Sequence, residues 1–95
     1  MRYSKNAKRL TTHRWRLRRL GWTLEQYYEL LNKQHSLCAI CKVDIKPIGF
    51  NTHLDHCHVS GKVRGILCGS CNRGLGQFKD NPITLAAAIV YLRSI

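Results

Sequence analysis

The stretch HLDHCHVSGKVRGILCGSCN, residues 53–72, decides how this chain is read. Short runs rich in β-branched and aliphatic side chains flank a VSGK turn, so residues 52–56 and 63–67 read as two strands of a hairpin. Ser60-Gly61 supplies a residue that tolerates the positive φ of a tight reversal. CGSC follows, and a short helix is expected to begin near Asn72 and run toward Phe78. Gly74 and Gly76 each weaken that helix by about 1 kcal/mol relative to Ala, which implies close approach by neighbouring backbone. Strand, strand and helix in succession form the centre of an α+β chain.

Two of the cysteines in this stretch have partners upstream. Cys38-x2-Cys41 and Cys68-x2-Cys71 are separated by 26 residues. Two residues between thiols let both reach one ion from a tight turn, and four thiolates complete a tetrahedron around Zn2+ with no open position. The pattern therefore predicts a structural zinc in preference to disulfides, an iron–sulfur cluster or free thiols. A chain of 95 residues has a marginal core, and a structural metal is one common remedy. Cys57, between His56 and His58, reads as a small buried side chain rather than a ligand or nucleophile.

With the sulfurs assigned, Asp55, His56 and Asn72 are left over. An Asp carboxylate and an Asn amide oxygen are hard ligands that suit Mg2+ or a similar cation, not zinc. A His beside such an ion can deprotonate water, and water attacking phosphorus is phosphodiester hydrolysis. Asn72 directly follows Cys71, so the zinc fixes where it points. Adjacent side chains of an ideal strand face opposite ways, so Asp55 and His56 share a site only if the strand ends or bulges. Irregular backbone is therefore expected over residues 55–58. Taken alone, His53 and His58 read equally well as surface histidines. Arg64 and Arg73 are candidate phosphate contacts, with solvated surface as the alternative.

The flanks are helical. Thr23 and Gln26 have capping-box spacing, and Leu24, Tyr27, Tyr28 and Leu31 fall at i, i+3, i+4 and i+7, an apolar face whose tyrosines read as core. In DNPITLAAAIVYLRSI, residues 80–95, Asn81 can cap a helix with Pro82 in its first turn. Apolar residues cover most of its circumference, so it is expected to be buried, partly in a dimer interface. Residues 4–20 read as a helix when bound, and the first dozen as disordered without a partner. Trp15 is taken to pack on the domain, with base stacking as its alternative.

Sixteen Lys and Arg against five Asp and Glu give a net charge of +11. That imbalance predicts a polyanionic partner, and nucleic acid is the usual one. Eight of the sixteen lie in residues 1–20 with no acid among them, Arg14, Arg16, Arg18 and Arg19 included. Residues 1–21 thus read as a basic arm that binds DNA, and residues 22–95 as the domain proper. No apolar run is long enough to span a membrane, and none follows the basic N-terminus to make a secretory signal, so a reducing cytoplasm is expected.

CAIC, HLDHCH, GKVRGILCGSCNRGLG and the DNP helix, together with TLEQYYELLNKQ before the first knuckle, resemble the phage recombination endonuclease VII family within the HNH (ββα-metal) nucleases. The resemblance spans about residues 22–94. It implies a small zinc-stapled ββα-metal core with flanking α-helices, and a metal-dependent DNA endonuclease. Cys38, Cys41, Cys68 and Cys71 would bind zinc. Asp55 and Asn72 would hold the catalytic Mg2+ or Mn2+, His56 would be the general base, and His53 and His58 would contact the scissile phosphate or aid the leaving group. The best-known members are dimers that cut branched DNA, so a homodimer, a Holliday junction and a phage-infected or prophage-bearing bacterial host also come with the resemblance. Charge and cysteine pairs alone fit a non-catalytic zinc module that binds nucleic acid, which leaves the Asp-His-Asn set to chance.

Overall fold

The structure is a computed structural model that describes residues 13–94. The expectation of a disordered first dozen, with Arg2, Lys5, Lys8 and Arg9, lies outside the described residues. Residues 13–19 are helical (α1). Helix Leu24–Lys33 (α2), strands Thr52–His56 (β1) and Val63–Cys68 (β2), and helices Gly69–Gln77 (α3) and Pro82–Arg93 (α4) follow. The architecture is α+β, with one two-stranded antiparallel sheet among the described residues. Helix α3 lies against both strands and α2 against β2.

The hairpin forms where its turn residues require it. Gly61 sits at φ +75°, the Cys57 N–H donates to the Lys62 carbonyl at 2.8 Å, and the Gly61 N–H donates to the Cys57 carbonyl at 2.8 Å. Thr52 pairs with Cys68 and Asp55 with Gly65, but His56 pairs with Val63. Arg64 is therefore an extra residue in β2, opposite the Asp55–His56 step. The bulge falls at the Asp55–His56 step, inside the stretch where irregular backbone is expected, but its extra residue is in β2 rather than in β1.

Helix α2 has the complete capping box: the Gln26 N–H donates to Thr23 Oγ1 at 3.1 Å, and the Thr23 N–H to Gln26 Oε1 at 2.9 Å. Its buried face is Tyr27 and Leu31, while Tyr28 is partly exposed. The Tyr27 hydroxyl donates to the Pro47 carbonyl at 2.6 Å, and burial pushes its pKa up to about 12. Helices α1, α2 and α3 end alike, in Schellman turns. The Trp22, Ser36 and Asp80 N–H groups reach back to the carbonyls of Leu17, Leu31 and Leu75. The left-handed residue after the cap is Gly21 in the first case, but His35 and Lys79 in the others.

The core gathers Leu17, Tyr27, Leu31, Ile45, Ile66 and Leu67 around Cys38 and Cys68. Gln34 ties α2 to the free edge of β2. Its Nε2 donates to the Leu37 and Ile66 carbonyls, each at 2.9 Å, and its Oε1 accepts from the Ile66 N–H at 2.9 Å.

Several expectations need correction. Helix α3 starts at Gly69, not near Asn72, because Asn51 Oδ1 accepts from the Gly69 N–H at 2.9 Å and Cys68 occupies the N-cap. Gly69 is fixed by that contact: a Cβ there would lie 2.7 Å from Asn51 Oδ1. Gly74 and Gly76 face open space, so no close backbone approach explains them. Helix α4 has its Asn81 cap and Pro82 as expected but carries no buried residue, leaving Ile83, Val90, Tyr91 and Leu92 uncovered by the described residues. Trp15 does not pack into the body; it is 59% exposed, with the Arg19 guanidinium 5.1 Å from its ring. Cys57 is half-buried, and donors from Ser60 hold its thiol down at about 7.

Candidate active site and metal centre

The two cysteine knuckles meet at the end of the hairpin. The thiol sulfurs of Cys38, Cys41, Cys68 and Cys71 all lie within 4.8 Å of one another, and Cys41 and Cys68 are 3.7 Å apart. Four sulfurs about 2.3 Å from a common Zn2+ would stand roughly 3.8 Å apart at tetrahedral angles, so the cluster fits the ion. The first knuckle turns through Lys42, at φ +66°, and the Cys38 N–H donates to the Val43 carbonyl at 2.8 Å. The Ala39 N–H donates to the Ile66 carbonyl at 3.1 Å, which fastens this knuckle to β2. Burial opposes ionisation of Cys38, but hydrogen bonds from Cys68, Cys41 and Ile40 outweigh it and bring the thiol down to about 6. Burial and its thiol neighbours push Cys71 up to about 12. Four thiolates this close cannot all ionise without a cation among them.

Along β1 lies a cleft of about 680 Å³ that none of the four cysteines lines. His53, Asp55 and His56 reach it from β1, His58 from the turn and Asn72 from α3. Every residue read as a catalytic candidate therefore borders one space. Asp55 is 8% exposed, the one buried charged residue among those described. Its carboxylate accepts from Arg64 Nε at 2.7 Å and Nη2 at 3.1 Å. A carboxylate offers about four lone-pair sites, so each oxygen keeps one free for another partner. Asp55 and the Asn72 amide are thus a fitting hard-oxygen pair for a divalent cation. The His56 and His58 rings stand side by side, with centroids 4.9 Å apart. His53 Nε2 is buried and has no hydrogen-bond partner among the described residues.

Sequence reasoning missed Asp80 and His13, which also line the cleft. Asp80 accepts from Arg64 Nη2 at 3.2 Å and lies 4.0 Å from His58 Nε2. It had been seen only as the residue before the α4 cap; the αL conformation that points it inward, φ +54°, leaves no mark in the sequence. His13 sits in the basic run, where one histidine has no signal. Its ring meets that of Tyr27 edge-on at 4.2 Å, and burial, then the Arg16 charge, lowers its pKa. Of the candidate DNA contacts, Arg16 and Arg19 line the cleft, Arg14 and Arg18 border a separate depression, and Arg64 is turned toward Asp55 and Asp80. Arg73, on α3, lines neither.

The comparisons with known proteins bear on both sites. The Gene 59 protein of Mycobacterium phage D29 is 40% identical over 76 residues, covering 77% of this chain and 44% of that protein. The crystal structure of the β-β-α-Me type II restriction endonuclease Hpy99I superposes with a TM-score of 0.54 at 36% identity, over 72% of this chain and 40% of that one. The chain thus spans less than half the length of either, and the shared fold is the ββα-metal fold. The recombination endonuclease VII model matches residues 13–94, hairpin, both knuckles and all four helices included. By that match, the chain belongs to the recombination endonuclease VII family.

Proposed function

We propose that this protein is a DNA endonuclease that hydrolyses phosphodiester bonds with the help of a divalent cation. The observation that carries the reading is the convergence of His53, Asp55, His56, His58 and Asn72 on one cleft beside the cysteine cluster. Family membership and the ββα-metal fold support the same conclusion. The substrate follows from the net charge of +11 and from the arginines along the cleft.

In this reading Cys38, Cys41, Cys68 and Cys71 hold a structural Zn2+, and Asp55 and Asn72 hold a catalytic Mg2+ or Mn2+. When bound, that second ion supplies charge to offset the developing leaving oxygen. His56 is the general base and takes a proton from the attacking water. His58, beside it and largely exposed, stands where it can meet the phosphate or the leaving group. Arg64 keeps the Asp55 carboxylate in one orientation, and Asp80 holds the other side of that guanidinium. Among the described residues no element of the cleft is dedicated to reading base edges, so contacts to the backbone are expected to dominate and sequence preference to be weak. Nicking or structure-selective cutting, including of branched DNA, is consistent with this, and action in the cytoplasm of a phage-bearing host agrees with the phage relative. A homodimer would pair two such clefts. Among the described residues no helix is long and apolar enough to cross a membrane.

Supercoiled plasmid incubated with Mg2+ or Mn2+, wild type beside His56→Ala, tests the reading. Metal-dependent nicking or linearisation by the wild type alone is expected, with zinc content and DNA binding retained in the variant. Binding without cleavage of plasmid or of a four-way junction under any divalent ion would instead make the chain a nucleic-acid-binding zinc module.

A further inference from the structure

Helix α1 does not behave as a uniform basic arm. At about 100° per residue, His13, Arg16, Leu17 and Leu20 share one face, and all four line the cleft that holds the candidate catalytic residues. Arg19 borders the same cleft from the edge of that face. Arg14 and Arg18, one turn apart on the other side, border a depression formed with residues 21–25. The helix is also fixed in place. Leu17 is 2% exposed in the core, its carbonyl accepts from the Trp22 N–H at 2.9 Å, and the His13 ring rests on Tyr27.

The charge in the cleft is unbalanced. Its carboxylates are Asp55 and Asp80, and both are engaged by Arg64. Among the described residues, neither Arg16 nor Arg19 has a carboxylate within 4.0 Å. Two guanidinium groups held over a cleft without an acid partner make a site for an anion, and their planar forks suit phosphate oxygens.

We infer that Arg16 and Arg19 bind backbone phosphates next to the scissile one, which makes α1 a wall of the active site, while Arg14 and Arg18 contribute to general electrostatic attraction. The ligand is a nucleic-acid strand whose backbone runs along α1 through the cleft. The inference deepens the nuclease reading and rests on it for the word scissile, but the phosphate contacts themselves can be tested without cleavage.

The variant is Arg16→Gln/Arg19→Gln, with Lys33→Gln/Arg93→Gln as a charge-matched control and Arg16→Lys/Arg19→Lys to keep charge without the fork. Far-UV circular dichroism and Tm establish that each is folded. The probe is a four-way junction, whose branch point fixes the binding register, carrying one neutral methylphosphonate moved position by position, with binding read by fluorescence anisotropy and cleavage by gel. Wild type is expected to lose about tenfold in affinity at one or two adjacent positions. That penalty should vanish in the Gln pair, persist in the control and shrink in the Lys pair. At saturating DNA the Gln pair should also lower kcat about tenfold or more, with the control unchanged. Methylphosphonate penalties that persist in the Gln pair, or a rise in KM alone equal to the control's, would overturn the clamp. If the wild type cuts neither the junction nor plasmid under any divalent ion, the nuclease reading fails and the binding scan still decides whether these two arginines hold phosphate.

Discussion

Gln34 gives the most direct test of how the two sites are held together. Its carboxamide satisfies the Ile66 N–H and bridges the Leu37 and Ile66 carbonyls, all at 2.9 Å. Ile66 is 0% exposed, so Gln34→Leu leaves its N–H with no water to turn to. An orphaned buried donor costs about 1–3 kcal/mol. The Ile66 carbonyl keeps the Ala39 N–H at 3.1 Å, so the loss on that side is smaller. A total near 2–3 kcal/mol corresponds to a drop in Tm of roughly 8–24 °C for a domain of this size. Gln34→Glu sharpens the test, because it keeps the shape and the acceptor but turns a carboxylate oxygen toward two carbonyls. Those carbonyls and partial burial raise the pKa of the new carboxyl above its ordinary value of about 4.3 in the folded state. The folded form then holds its proton more tightly than the unfolded form, so the deficit against wild type is full above the raised pKa and shrinks as pH falls through it. Thermal unfolding of zinc-loaded protein from pH 7 to pH 5, each variant against wild type at the same pH, is the assay. A Gln34→Leu Tm within about 2 °C of wild type, or a Gln34→Glu deficit that does not change with pH, would refute this account of the α2–β2 seam.

Cys68→Ser removes one of the four clustered thiols, a 4%-exposed core residue and a proposed zinc ligand, and apparent zinc affinities of about 10–16 kcal/mol are folding energy in small domains. The variant should show little cooperative melting, and a strong chelator should unfold the wild type; circular dichroism with a colorimetric zinc assay reads both. Lys79 is in the left-handed region at φ +55° after α3, so Lys79→Gly should stabilise by roughly 0.5–1 kcal/mol, and a lower Tm would contradict the turn assigned there. Arg64→Gln leaves Asp55 buried with a weaker partner; because Arg64 itself is partly exposed, the stability cost is about 1–2 kcal/mol. Its larger effect should fall on cleavage, at least about tenfold with DNA binding retained, and wild-type cleavage rates would show that Asp55 needs no such support.

What the sequence made legible follows from what carries a local signature. The hairpin, the α2 capping box, the Asn81-Pro82 start of α4 and the four-cysteine cluster each depend on a few neighbouring residues of distinctive type. The start of α3 did not, because its cap is a cysteine and its first N–H is satisfied by Asn51, eighteen positions away. Gln34 read as one more polar residue at a helix end, since its strand-like pairing with Ile66 exists only in three dimensions. Helix α4 misled for the opposite reason. Its apolar circumference is real, but hydropathy marks a surface that needs covering without saying what covers it, and nothing among the described residues does. Asp55, His56 and Asn72 stand out in the sequence as polar side chains with no structural excuse once the cysteines are assigned, whereas His53 and His58 are singled out only by the resemblance. Asp80 had such an excuse, as a turn residue, and was overlooked.

No thiolate lines the cleft, yet the cleft depends on the cluster through bonded links. Thr52 faces Cys68 across the ladder, so the cysteine end of the sheet lies three residues, about 10 Å of strand, from Asp55. On the other side Cys68 ends β2 and caps α3, and Cys71 immediately precedes Asn72. Asp55 and Asn72 belong to different elements, and the angle between those elements is set at the Cys68–Cys71 turn. The second fixed point is the Arg64 bulge, opposite the step between Asp55 and His56, both of which border the cleft. A sheet of two strands would ordinarily be too soft to hold such a geometry alone. Here one end is clamped by four sulfurs and the other by the Asp55–Arg64–Asp80 bridge. Small domains buy rigidity with metals because their cores cannot supply it. Stripping the zinc proposed for the cluster should therefore disperse the candidate catalytic residues even before the helices melt.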